Sequence, residues 1–259
     1  MSEDKPMSFL DHLEELRWRL LRAAVAVIFF SVIIWIYQRE IMENIFLNMV
    51  DPDFFSFRLL CQYLGVCVEE ITIDFQSTTL AGQFSYALMM SIMGGVVLAF
   101  PYIFYQLWAF VKPGLKGNEK QMAKGIVFYV SLLFFSGILF GYYVVAPLSV
   151  QFFGNFQITP EIKTDVTIAS YMSTILSTVF YTGLFFLFPI VTFLLVKIGL
   201  FTPEFLIKYR KHAIVIILIL AAVITPPDVI SQVIVTIPIY VLYEVSILVA
   251  KRVVKTDQA

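Results

Sequence analysis

Charge is scarce in this sequence, and so are cysteine and histidine. Lys, Arg, Asp and Glu make up 14% of the 259 residues, against roughly 25% in a soluble globular domain. With 59% hydrophobic residues and a mean hydropathy of +0.85, this excludes a water-soluble protein. Two cysteines, Cys61 and Cys67, are too few for a metal cluster or a disulfide scaffold. The two histidines, His12 and His212, lie far apart in sequence, so no metal site is expected. Eighteen basic residues against 19 acidic ones leave no surplus that would point to nucleic acid as a partner.

Catalytic motifs are missing too. There is no Gly-rich phosphate loop ending in Lys-Ser/Thr, no nucleophile elbow and no His-Glu-x-x-His pair, so neither an enzyme nor a cofactor is expected. The first twenty residues hold five acids and lack the basic opening of a cleaved signal peptide, and no small-residue cleavage pattern closes the first apolar run. That run reads as a retained span.

What the chain has is long apolar runs. The one beginning at Gly125 exceeds a single crossing, and Pro147, Gly154 and Pro160 are expected to break it. Thr225-Pro226-Pro227-Asp228 reads as a tight turn between two short spans. Of the 18 basic residues, only Arg39, Arg58 and Lys163 fall on one side of the resulting topology. The other fifteen mark the cytoplasmic side. The fold class is therefore an all-α integral membrane protein of six transmembrane helices, both termini cytoplasmic, with the fifth and sixth helices short. As one membrane domain over 1–259 it has a cytoplasmic amphipathic helix over 1–19 and a large outer loop over 39–77. The spans fall at about 20–38, 79–106, 123–146, 168–196, 212–225 and 229–249. Ala87, Ser91, Gly95 and Ala99, and Gly137 with Gly141, are spaced for close helix packing. Trp108, Tyr142 and Tyr143 suit interfacial belts.

An ion-coupled carrier places several charged groups near the membrane midplane. Here the one charged residue well inside a span is Glu244. More unusual are Glu14, Glu15 and Glu119 on a face dominated by Lys and Arg. Phe9, Leu13, Leu16 and Leu20 follow helical period, so Glu15 sits on an interfacial helix, where an i,i+4 pair with Arg19 explains it without any function. Glu119 fits a first-turn acid behind an Asn118 cap. The residues alone leave both readings open for each acid.

The stretch from Pro101 to Leu115, PYIFYQLWAFVKPGL, followed by Glu119, resembles the signature of the TatC family, the multispanning subunit of the twin-arginine protein translocase. His12 to Leu20, Asp165 to Tyr171 and Thr225 to Gln232 resemble the family's N-terminal motif, fourth-span entry and last turn. The resemblance implies a receptor and core subunit for export of folded proteins from the bacterial inner membrane, driven by the proton gradient. It implies twin-arginine signal peptides, single-span subunits of TatA/TatB type, the lipid bilayer and further copies of itself as partners. Glu15 and Glu119 match positions whose carboxylates receive the paired arginines, and Arg17, Phe110, Pro113 and Leu115 match neighbouring positions. Guanidinium forks bind carboxylates bidentately where lysine offers a point charge.

The sequence departs from the family at Leu187, where Glu or Gln is usual, which puts any role of that polar group in doubt here. A stripe of Ser170, Ser173, Thr174, Ser177, Thr178 and Thr182 is either ordinary back-bonded helix surface or a hydrated face in its place. Glu244 is either a functional acid or a group snorkelling toward Lys251 and Arg252. Asp228 and Gln232 are expected to cap the sixth helix, near where the resemblance puts partner contacts. Cys61 and Cys67 lie beyond disulfide reach in a straight helix, and a break at Gly65 would permit a bridge stapling the outer loop. A small-molecule secondary transporter and a ligand-free scaffold are the alternatives from other classes. The transporter calls for inverted repeats, and none is found between the halves.

Overall fold

The computed structural model describes residues 9–51, 53–64, 75–111, 125–156, 158–159, 166–197, 199–225 and 229–257. These are helical almost throughout. No strand occurs among the described residues, and one isolated bridge pairs Gln76 with Thr167. The chain divides into two compact units, Met1–Gln38 with Ala87–Leu132 and Arg39–Tyr86 with Leu133–Ala259.

In the first unit, α1 (Phe9–Ile36) is a single helix that carries the amphipathic segment directly into the first apolar run. It meets α3 (Gly82–Val111) where side chains are smallest. A Cβ added at Gly95 would fall 2.8 Å from the backbone nitrogen of Ser31 and 2.9 Å from the carbonyl of Val27, so only glycine allows this approach. On the outward side of α1, Ile28 and Phe29 are more than 60% exposed, as suits a surface bathed in hydrocarbon. Trp108 departs from the interfacial-belt expectation: it is buried and stacks on Phe104 of its own helix.

The second unit begins with an irregular helical segment. A π turn over Met42–Phe46 and a 3₁₀ turn over Leu47–Val50 precede α2 (Phe55–Leu64). Off the regular α ladder, the carbonyls of Ile45 and Phe46 accept hydroxyls from the spans, Tyr142 at 2.7 Å and Tyr171 at 2.5 Å. Further along the chain, the bridge ties Gln76 to Thr167, with Ile168 donating to the Gln76 carbonyl at 3.0 Å.

The third apolar run is not broken at Pro147. Helix α4 continues over Ile126–Asn155 with a π turn at Gly141–Val145. Proline removes the amide that would bond to the carbonyl four residues back. That carbonyl belongs to Tyr143, and it accepts the Ser56 hydroxyl of α2 instead. The lost ladder bond is thus replaced from outside the helix. Gly137 faces Gly183 and Phe186, and Gly141 faces Val179 and Thr182, which joins α4 to α5 (Ile168–Phe185).

A turn at Phe186 and Leu187, just before Pro189, separates α5 from α6 (Phe188–Lys197). Gly199, at φ +75°, closes α6. Its amide bonds to the Val196 carbonyl and that of Leu200 to the Leu195 carbonyl, the paired bonds of a left-handed helix stop. Then follow α7 (Pro203–Lys208), α8 (Arg210–Ile224) and α9 (Val229–Asp257). Val235, Ile239, Tyr243, Ile247 and Ala250 form one buried stripe along α9 and pack with Ile217 and Ala221 of α8, Leu206 of α7 and Val196 of α6. Tyr243 donates to the Leu206 carbonyl at 2.6 Å.

Among the described residues, five helices are long and apolar enough to cross a membrane. Helix α8 has 15 residues, about 22 Å against a hydrocarbon core of about 30 Å. The sixth helix is not short. It runs 29 residues, because the basic tail continues the helix beyond the apolar stretch.

Candidate functional site

The acids singled out by sequence fall at separate places. Glu15 lies on α1, one helical turn before Arg19, whose Nε donates to Glu15 Oε1 at 2.9 Å and whose Nη2 donates to the same oxygen. The i,i+4 pair foreseen from spacing is therefore formed. It does not end on the helix surface, because Arg19 Nη1 also reaches Oε1 of the buried Gln106 on α3 at 3.5 Å. His12 Nδ1 lies 4.0 Å from Glu15 Oε2, outside hydrogen-bond range, and the His12 ring stacks on Phe110 with centroids 4.2 Å apart. Glu15 and Arg19 are 25% and 21% exposed, so the carboxylate is partly desolvated yet reachable.

One oxygen of Glu15 therefore holds a guanidinium, and the other has no hydrogen bond among the described residues. Beside it is a flat aromatic pair. Such a place can receive a second planar cation on Oε2. Of the neighbouring candidates, Phe110 is part of this group. Arg17 is not: it is well exposed, 3.9 Å from Glu14, with its guanidinium 5.5 Å from the Trp18 ring. Glu119, Pro113 and Leu115 lie outside the described residues. His12 and Gln106 were not singled out for chemistry by sequence reasoning. Both sit inside the quoted motifs, and that was the available signal.

In the second unit, Glu244 is paired with a residue of another helix. Its Oε2 accepts from Arg210 Nη2 at 2.7 Å and its Oε1 from the Tyr240 hydroxyl at 2.9 Å, so among the described side chains its ionic partner is at the start of α8. Gln232 donates to the Leu218 carbonyl at 3.0 Å, tying α9 to α8 instead of capping its own helix. Asp228 lies outside the described residues. Leu187 is half-buried in the turn between α5 and α6. In the hydroxyl stripe, Thr174, Ser177 and Thr182 bond back to Ser170, Ser173 and Thr178 carbonyls of the same helix, the arrangement of ordinary helix surface. Cys61 is held in a disulfide. Cys67, the other cysteine of the chain, lies outside the described residues. No group of three or more potential metal ligands occurs among the described residues.

The model of the family described as Sec-independent protein translocase protein (TatC) matches residues 11–238. The sequence is 35% identical over 263 residues to the Sec-independent protein translocase protein TatC of Blattabacterium sp. subsp. Periplaneta americana (strain BPLAN), covering 98% of each chain. It is 32% identical over 252 residues to TatCy of Bacillus subtilis (strain 168), covering 97% of this chain and 92% of that one. Among solved structures, the crystal structure of the twin arginine translocase receptor TatC in DDM superposes with a TM-score of 0.71 at 31% identity. The match covers 92% of this chain and 99% of that one.

Proposed function

The chain belongs to the TatC family of Sec-independent protein translocases, a multi-pass membrane protein of the Tat protein-transport pathway, and from that premise we propose that it is the receptor for twin-arginine signal peptides. The family membership displaces the small-molecule carrier considered from sequence. The observation that carries the proposal is the half-used carboxylate of Glu15, with Oε1 taken by Arg19 and Oε2 open beside the His12–Phe110 stack. An arginine of the signal binds there as a fork, and Glu119 takes the second. By resemblance to the family, Pro113, Leu115 and Arg17 also take part in recognising the signal, Arg17 from a position apart from the Glu15 group. Paired lysines bind less well, since an ammonium cannot make the fork.

In this reading the protein has six spans, α8 being the fifth, and both termini face the cytoplasm of a bacterium whose inner membrane it occupies. The distribution of basic residues supports that orientation. Cargo crosses folded, at the expense of the proton gradient, with single-span subunits of TatA/TatB type and further copies of this chain as partners. By resemblance, partner contacts fall near Asp228 and Gln232, and Glu244 is a polar intramembrane group held by Arg210 and Tyr240.

The test is photocrosslinking of a twin-arginine signal peptide to the protein in membranes, against the same peptide with paired lysines. Strong crosslinking of the first and weak crosslinking of the second is the expected result. Equal crosslinking of both overturns the proposal.

A further inference from the structure

Resting on the reading of Glu15 as the acceptor of a signal arginine, we propose that Arg19 sets the preference of this site for arginine over lysine. Arg19 places two of its nitrogens on a single oxygen of Glu15 and a third toward Gln106 on α3. It is thus fixed from two sides, and both members of the pair are about three-quarters buried. Two consequences follow for any cation that arrives at the free Oε2.

First, the carboxylate is already neutralised. An incoming cation is drawn to a pair of near-zero net charge and meets the positive charge of Arg19 a few ångströms away. A lysine ammonium binds carboxylates chiefly as a compact, strongly hydrated point charge, so it gains little here and is repelled. Second, the geometry left over suits a planar group. Among the described residues nothing donates to Oε2, which leaves both its lone pairs for a ligand. A guanidinium is weakly hydrated, can set two donors on that single oxygen as Arg19 does on Oε1, and stacks on flat neighbours, which the His12–Phe110 pair supplies. Arg19 therefore weakens lysine more than arginine. With Arg19 uncharged, a bare carboxylate would attract either cation. The selectivity comes from a built-in competitor as much as from the acceptor itself.

The experiment measures equilibrium binding of fluorescent twin-arginine and twin-lysine signal peptides to the purified full-length chain and to Arg19→Gln, Arg19→Lys, Gln106→Glu and Glu15→Gln variants. In Arg19→Gln, twin-lysine binding is expected to gain on twin-arginine binding by about tenfold, which is about 1.4 kcal/mol. Arg19→Lys keeps the charge and is expected to keep the preference. Gln106→Glu leaves Arg19 in place but neutralises it from its other side, so the preference is expected to fall there too. This variant decides the matter should Arg19→Gln not fold. If Arg19 only ties α1 to α3, its loss changes both affinities by the same factor. An unchanged ratio in Arg19→Gln and Gln106→Glu overturns the inference. Glu15→Gln separates the two levels: no loss of twin-arginine binding in that variant overturns the receptor reading of Glu15 itself. Loss there together with unchanged ratios overturns the role of Arg19 alone.

Discussion

Ser56 donates its hydroxyl to the Tyr143 carbonyl, the acceptor that Pro147 deprives of its helical donor. A buried carbonyl without a partner costs about 1–3 kcal/mol, so Ser56→Ala is expected to lower the thermal midpoint measurably in detergent. Restoring an amide with Pro147→Ala should recover part of the loss. If the two substitutions are simply additive, the compensation described for α4 does not hold.

Two glycines separate crowding from conformation. A Cβ at Gly137 would fall 2.8 Å from the Cα of Gly183, whereas Gly199, at φ +75°, has nothing within 4 Å of its missing Cβ. Gly137→Ala is expected to cost about 1–3 kcal/mol through overpacking, and Gly199→Ala about 1–2 kcal/mol through the left-handed backbone. Asparagine should be accepted at 199 and rejected at 137. Urea or thermal titration of the four variants reads the difference, and equal tolerance of asparagine at both sites would contradict it.

The Arg210–Glu244 pair is partly exposed, at 43% and 31%. Its coupling in a double-mutant cycle is therefore expected to be about 1 kcal/mol or less and to shrink with salt. Lys251→Ala should leave stability unchanged. A large effect at Lys251 would restore the snorkelling picture.

Glu15→Ala removes one partly solvated pair, at a stability cost under about 1 kcal/mol. The variant should accumulate in membranes like the parent while losing twin-arginine crosslinking. Recovery of crosslinking by an unrelated stabilising substitution would show that the loss was a folding defect.

Cys61 is disulfide-bonded. Reduction is expected to increase proteolysis of the segment that α2 belongs to and to leave signal-peptide binding unchanged. Thiol labelling of the unfolded, unreduced protein should find no free cysteine, and two labelled thiols would refute the bridge.

Hydropathy located the helices well because a bilayer imposes one length and one composition on every span. One expected break, at Pro147, is absent for a physical reason. Reading Pro147 as a breaker assumes its orphaned carbonyl stays empty, yet Ser56, 87 residues away, fills it. The candidate site follows the same division. The Glu15–Arg19 spacing is local and was legible, while the reach of Arg19 to Gln106 and the stacking of His12 on Phe110 join positions far apart in the chain.

The π turn at Gly141–Val145 gives α4 a point of slack. An α-helix turns about 100° per residue, so losing one residue anywhere else in the span would swing the glycine face at 137 away from Gly183. Within 141–145, where each turn already holds one residue more than an α turn, a single deletion would restore regular winding and leave both halves in phase. Relatives one residue shorter at this point would therefore superpose on this chain without any rotation of the helix on either side.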